Sequence, residues 1–240
     1  MDYEEMNYAA ISREQQLEAS LAFPALMRKV YLWMTLALVI TGFTSFYVAT
    51  NATLLGMIFS NSVVFWGLII GELALVLGLS AAINRLSLST ATLMFVLYSV
   101  VNGATMASIF LIYELSSIVS VFFVTAATFA CMAAYGYFTK KDLTSWGRIL
   151  FMALIGIIIA SVVNIFVKSS GLNLIVSYVG VLVFVGLIAY DSQKIKEMFL
   201  TAPNAGENMQ KLALLGALSL YLDFINLFLH LLRILGSSRD

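Results

Sequence analysis

The sequence predicts an all-α polytopic membrane protein with seven transmembrane helices. Three observations carry that expectation. Of the 240 residues, 61% are apolar and 11% are charged, with 13 basic and 13 acidic side chains. A soluble domain is roughly 45–50% apolar and about a quarter charged, and a water-soluble globule has nowhere to put the excess. Seven apolar stretches are long enough to cross a bilayer core, which takes about 20 residues of helix. Only two prolines, Pro24 and Pro203, interrupt the chain, so long helices are unbroken.

The stretches run over about residues 30–50, 62–83, 91–112, 117–138, 148–168, 172–192 and 211–235. Short polar breaks separate them, such as Asn51 to Asn61 and Thr139 to Gly147. Residues 1–29 are polar and lack the basic start and apolar core of a signal peptide, so they read as a retained cytoplasmic tail. Residues 30–235 form one transmembrane domain, and 236–240 a short C-terminal tail. The break at about 193–210 is the longest loop and holds the turn formers Pro203, Asn204 and Gly206. Lys and Arg collect on the cytoplasmic side of membrane proteins. With the N-terminus inside, ten of the 13 basic residues lie inside, and Lys168, Arg233 and Arg239 lie outside. The expectation is N-terminus cytoplasmic and C-terminus outside.

Composition excludes several classes. Disordered chains are polar and charge-rich. Nucleic-acid binding wants a basic excess, and this chain has none. A single cysteine, Cys131, permits neither an internal disulfide nor a cysteine zinc cluster. There is no phosphate-binding Gly-x-x-x-x-Gly-Lys-Ser/Thr loop for ATP-driven pumping. A retinal Schiff base needs a buried lysine, and the last span has Lys211 only at its mouth.

Charges inside a span are costly and face the bundle interior. Here they are Glu72, Asp191 and Asp223, with Arg85 and His230 near helix ends. Glu72 reads either as a lining carboxylate or as a protonated acid bonded to a neighbouring helix. Gly67 and Gly71 beside it have the small-xxx-small spacing of close helix contacts. Asp223, Asn226, His230 and Arg233 recur every three or four residues and so share one helix face, which places the seventh span inside the bundle. Glu72, Asn226 and His230 are candidates to line an ion pathway. Asp191 closes the sixth span, and a pair with Arg85 is geometrically allowed. Contact between Asp191 and Asp223 requires the sixth span to extend inward or the seventh to start well inside the cytoplasm. Asn102 and Asn164 read as interhelical hydrogen-bonding residues.

Two intramembrane aspartates also invite comparison with intramembrane aspartyl proteases. That family needs Gly-x-Gly-Asp, and Tyr221-Leu222-Asp223 lacks the glycines, so no enzymatic activity is expected. A closer resemblance lies elsewhere. Ala189-Tyr190-Asp191-Ser192-Gln193-Lys194-Ile195 and the Ser219–Leu229 run around Tyr221, Asp223, Phe224, Asn226 and Phe228 resemble the two signature helices of the Bax inhibitor family. Gly71-Glu72 to Ser80, with Arg85-Leu86-Ser87, resembles its second helix. The resemblance covers about residues 25–235.

It implies seven helices with the last in the centre. It also implies a proton-sensitive calcium leak channel in which Asp191 and Asp223 share a proton and transiently meet calcium, while Arg85 latches the closed pore. Glu72 matches a family acid. Two carboxylates a few Å apart cannot both ionise cheaply and titrate as a unit, and calcium favours carboxylate oxygens, so protons and calcium compete for the same groups. No resident cofactor is implied. The implied partners are the lipid bilayer, calcium and protons. The short tail lacks the lysine-rich end of eukaryotic relatives and resembles a bacterial inner-membrane member. Some bacterial relatives instead bind and modulate a membrane-anchored ATP-dependent protease, with residues 1–29 as the natural handle.

Overall fold

The computed structural model describes residues 3–201 and 206–239, with side chains over 24–200 and 206–239. Among the described residues there are nine helices: α1 (Tyr3–Thr50), α2 (Ala52–Phe59), α3 (Ser62–Ala82), α4 (Leu88–Met106), α5 (Ile109–Ile112), α6 (Leu115–Phe138), α7 (Thr144–Val167), α8 (Ser170–Thr201) and α9 (Glu207–Leu235). Seven segments are long and apolar enough to cross a membrane, with α4 and α5 together forming the third.

Local chemistry sets several boundaries. The Asn51 side chain accepts hydrogen bonds from the backbone N–H groups of Thr53 and Leu54, and that of Asn61 from Val63 and Val64. Both are N-caps, so the polar break between the first two spans contains a short helix of its own. Gly206, at the head of α9, has φ +136, a conformation that only glycine adopts without strain. Pro203 and Asn204, the other expected turn formers, lie outside the described residues.

One boundary expectation is corrected. Asp191 does not close its span, because α8 continues to Thr201. The segment after Asp191 is polar enough to look like a loop, yet Ser192, Ile195 and Phe199 are buried, and their three- and four-residue spacing keeps one face packed. The chain before residue 30 leads into the first span as helix: α1 runs continuously from Tyr3 with Pro24 inside it.

The seventh span is central. In its most apolar stretch 67% of α9 is buried, against 6% for α3 and α7. It packs against α8, α1, α6 and α4. Among the fully buried side chains of α9 are Leu214, Leu218, Leu220, Tyr221, Leu227 and Leu232. Gly71 is not a close-packed glycine. A Cβ on Gly71 would meet nothing within 4 Å, whereas one on Gly136 of α6 would run into the backbone of Ala189 on α8. Asn164 does not reach another helix either; its Oδ1 accepts from the N–H of Ser169 at 3.0 Å and closes the turn after α7.

Candidate functional site

The long α8 resolves the question of depth. Asp191 stands ten residues before Thr201, about 15 Å at the rise of an α-helix, so it faces the interior of α9 and not its mouth. There the carboxyl groups of Asp191 and Asp223 come within hydrogen-bonding range of each other. Ser219, one turn before Asp223 on α9, donates its hydroxyl to Asp191 Oδ2 at 2.5 Å. Asp223 is 6% exposed, and its Oδ2 has no hydrogen-bond partner among the described residues. Asp191 is only half-buried, because it opens onto a cavity of about 200 Å³ lined also by Ser80 of α3, Lys194 of α8 and Ser219 and Leu222 of α9. The pair is therefore asymmetric, with one acid in a cavity wall and the other sealed behind it.

The motif around Asp191 is held rigidly. Gln193 Oε1 accepts from the N–H of Leu143 and its Nε2 donates to the carbonyl of Lys141, both at 2.8 Å. The α6–α7 connection is thus tied to α8 two residues from the acid. Ser219, Lys194 and Gln193 all lie in the motifs quoted above, and the sequence alone gives them no role. The available signal was spacing: Ser219 and Asp223 are i, i+4 on α9, and Asp191 and Lys194 are i, i+3 on α8, so each pair shares a face.

The remaining candidates fall elsewhere. Arg85 is exposed in the turn after α3, where its N–H bonds the Ala82 carbonyl at 2.8 Å. Among the described residues it makes no ion pair, so the allowed pair with Asp191 is not formed; the cation beside the acids is Lys194. Asn226 is half-buried and donates to the Leu222 carbonyl of its own helix at 2.8 Å. His230 is buried two turns beyond Asp223, its ring stacked on Phe184 at 5.6 Å and lying over Gly180.

Glu72 belongs to a second polar cluster. Its Oε1 accepts from Thr105 at 2.6 Å and its Oε2 from Asn102 Nδ2 at 3.5 Å. Asn102 Oδ1 accepts from the Tyr221 hydroxyl at 2.9 Å, and that hydroxyl meets Thr41 Oγ1 at 2.6 Å. This chain of side chains ties α3, α4, α9 and α1 together. Asn102 thus bridges helices as expected, and Glu72 is bonded to the neighbouring α4.

Among the described residues no three His, Cys, Asp or Glu side chains gather into a metal cage. Calcium takes six to eight oxygen ligands, and two carboxylates with one hydroxyl provide far fewer.

A membrane bundle that seals a facing carboxyl pair between its last two helices, around a central seventh helix, defines a class of seven-helix integral membrane proteins. The chain belongs to the Bax inhibitor family: the family described as inhibitor of apoptosis-promoting Bax1 matches residues 24–240. Among its relatives, the inner membrane protein YbhL of Escherichia coli K12 is 51% identical over 214 residues, 89% of this chain and 92% of the relative. An uncharacterized protein of Borreliella burgdorferi is 46% identical over 214 residues, with the same coverage of 89% and 92%. Protein RP147 of Rickettsia prowazekii, also uncharacterized, is 43% identical over 216 residues, 89% of this chain and 90% of the relative.

Proposed function

We propose that this protein is a proton-sensitive calcium leak pathway of a bacterial inner membrane, gated by the Asp191–Asp223 pair. The observation that supports it most is the asymmetry of the pair, with Asp191 opening on a cavity and Asp223 buried behind it. Two facing carboxyls hold a shared proton, and together they occlude the path. Loss of that proton sets like charges against each other, loosens α8 from α9 and presents oxygens to a cation. Lys194, which lines the same cavity, balances the charge of Asp191. Arg85 is exposed, so its latch role requires a rearrangement that brings it to the acids. The ten-to-three basic bias supports a cytoplasmic N-terminus and an outside C-terminus, so the cavity faces the cytoplasm. The inner-membrane placement is supported by the name of YbhL.

The test is calcium flux into liposomes containing this protein alone, measured across pH. Flux that rises as pH rises supports the proposal. No flux at any pH refutes it and moves binding to a membrane-anchored protease ahead.

A further inference from the structure

At the opposite end of the bundle from the acid pair, the C-terminal tail folds back on the break between α5 and α6. Tyr113 and Ser238 form an antiparallel bridge. The N–H of Glu114 donates to the Ser237 carbonyl at 3.1 Å, and the N–H of Arg239 to the Ile112 carbonyl at 2.9 Å. This fold-back brings Arg239 and Glu114 into the wall of one niche of about 470 Å³, which Phe46, Phe110, Leu111 and Leu115 also line.

The two charges sit in one niche without pairing. Among the described residues neither Glu114 nor Arg239 makes an ion pair within 4 Å. Arg239 Nη1 donates to the Phe110 carbonyl at 3.4 Å, which orients the guanidinium. Glu114 Oε2 accepts from Ser116 at 3.3 Å. Glu114 occupies the N-cap of α6, yet its side chain makes no capping bond, so its carboxylate has no structural duty there. Below the charges Phe46, Leu111 and Leu115 are 49%, 48% and 54% exposed. They lie at the ends of spans, where a bilayer places acyl chains beside headgroups.

We propose that this niche holds the headgroup of a phospholipid bearing a primary amine, with its phosphate on Arg239 and its ammonium on Glu114. Guanidinium and phosphate form charge-assisted, bidentate-capable hydrogen bonds. A carboxylate accepts hydrogen bonds from a primary ammonium but not from a quaternary one, so Glu114 selects ethanolamine over choline. The exposed apolar residues fix the source as a lipid and not a free phosphoethanolamine.

The test is native mass spectrometry and thermal unfolding of the full chain in detergent, with added phosphatidylethanolamine, phosphatidylcholine, phosphatidylglycerol or free phosphoethanolamine. The expected result is several-fold greater retention of phosphatidylethanolamine than of the other two lipids, a matching rise in unfolding temperature, and no effect of the free headgroup. Glu114→Gln is expected to erase the preference for ethanolamine over choline while keeping phospholipid binding. Arg239→Gln is expected to weaken all three lipids several-fold. A parent without preference, stabilisation by free phosphoethanolamine equal to that by the lipid, or variants that keep the parent's preference and affinity would overturn the proposal.

Discussion

Gly136 of α6 lies directly against the carbonyl of Ala189 on α8, two residues before the acid that faces the cavity. Without a side chain at 136 the two backbones touch, and this contact helps set where Asp191 stands. A methyl group there must push α6 away from α8. Forcing extra volume into a packed contact typically costs about 1–3 kcal/mol, and here the obstacle is backbone. Gly136→Ala is expected to lower the thermal unfolding temperature in detergent clearly. Gly71→Ala, with open space around it, should be neutral or gain slightly from better helix propensity. Equal loss in both variants would remove the close contact from the account.

The Tyr221 hydroxyl is the junction between the α9 core and the Glu72 cluster. Tyr221 is fully buried and Asn102 is 8% exposed. Tyr221→Phe therefore strips a donor from a buried amide oxygen, at a cost of about 1–3 kcal/mol. A double-mutant cycle with Asn102→Ala is the measurement, and the two losses should be strongly non-additive. Strict additivity would mean that the hydroxyl and the amide do not act together.

Asp142 governs a small pH effect outside the membrane spans. The Thr144 hydroxyl and backbone N–H hold its carboxyl below the ordinary aspartate value of 3.8, the N–H bond being 2.8 Å long. A group whose native pKa is depressed stabilises the fold above its unfolded value, and that contribution is lost as pH falls through the native value. Asp142→Ala should thus unfold at a lower temperature than the parent at neutral pH. The gap should close only when pH falls below about 4. A gap that persists unchanged at pH 3 would show that ionised Asp142 is not what holds the start of α7.

Span number, the central α9 and the inward placement of Asp223 were legible from residue patterns. Apolar run length reports membrane crossing, and a polar stripe on an apolar helix reports which face must be covered. The end of α8 was not legible, because Gln193, Lys194, Lys196 and Glu197 look like a loop when counted for hydropathy, while the helix needs only one buried face there. Gly71 misled because small-residue spacing says that a helix can be approached, not that one approaches. Pairing is a tertiary property: spacing along α8 and α9 places Lys194 and Ser219 on the faces of the acids, yet nothing local distinguishes them from Arg85 as partners. The fold-back of the C-terminal tail rests on backbone hydrogen bonds, which leave no residue signature.

In the proposed gate, Asp191 and Asp223 act as one titrating unit. Asp223→Asn keeps the size of the side chain and removes its ability to ionise or share a proton between two carboxyls, so it tests that pairing directly. The measurement is initial calcium flux into proteoliposomes for the parent and for Asp223→Asn at a series of pH values spanning neutrality. A steep rise of flux with pH is expected in the parent and a flattened response in the variant, with comparable protein incorporation in both. A variant that retains the parent's full pH response would contradict the shared-proton gate.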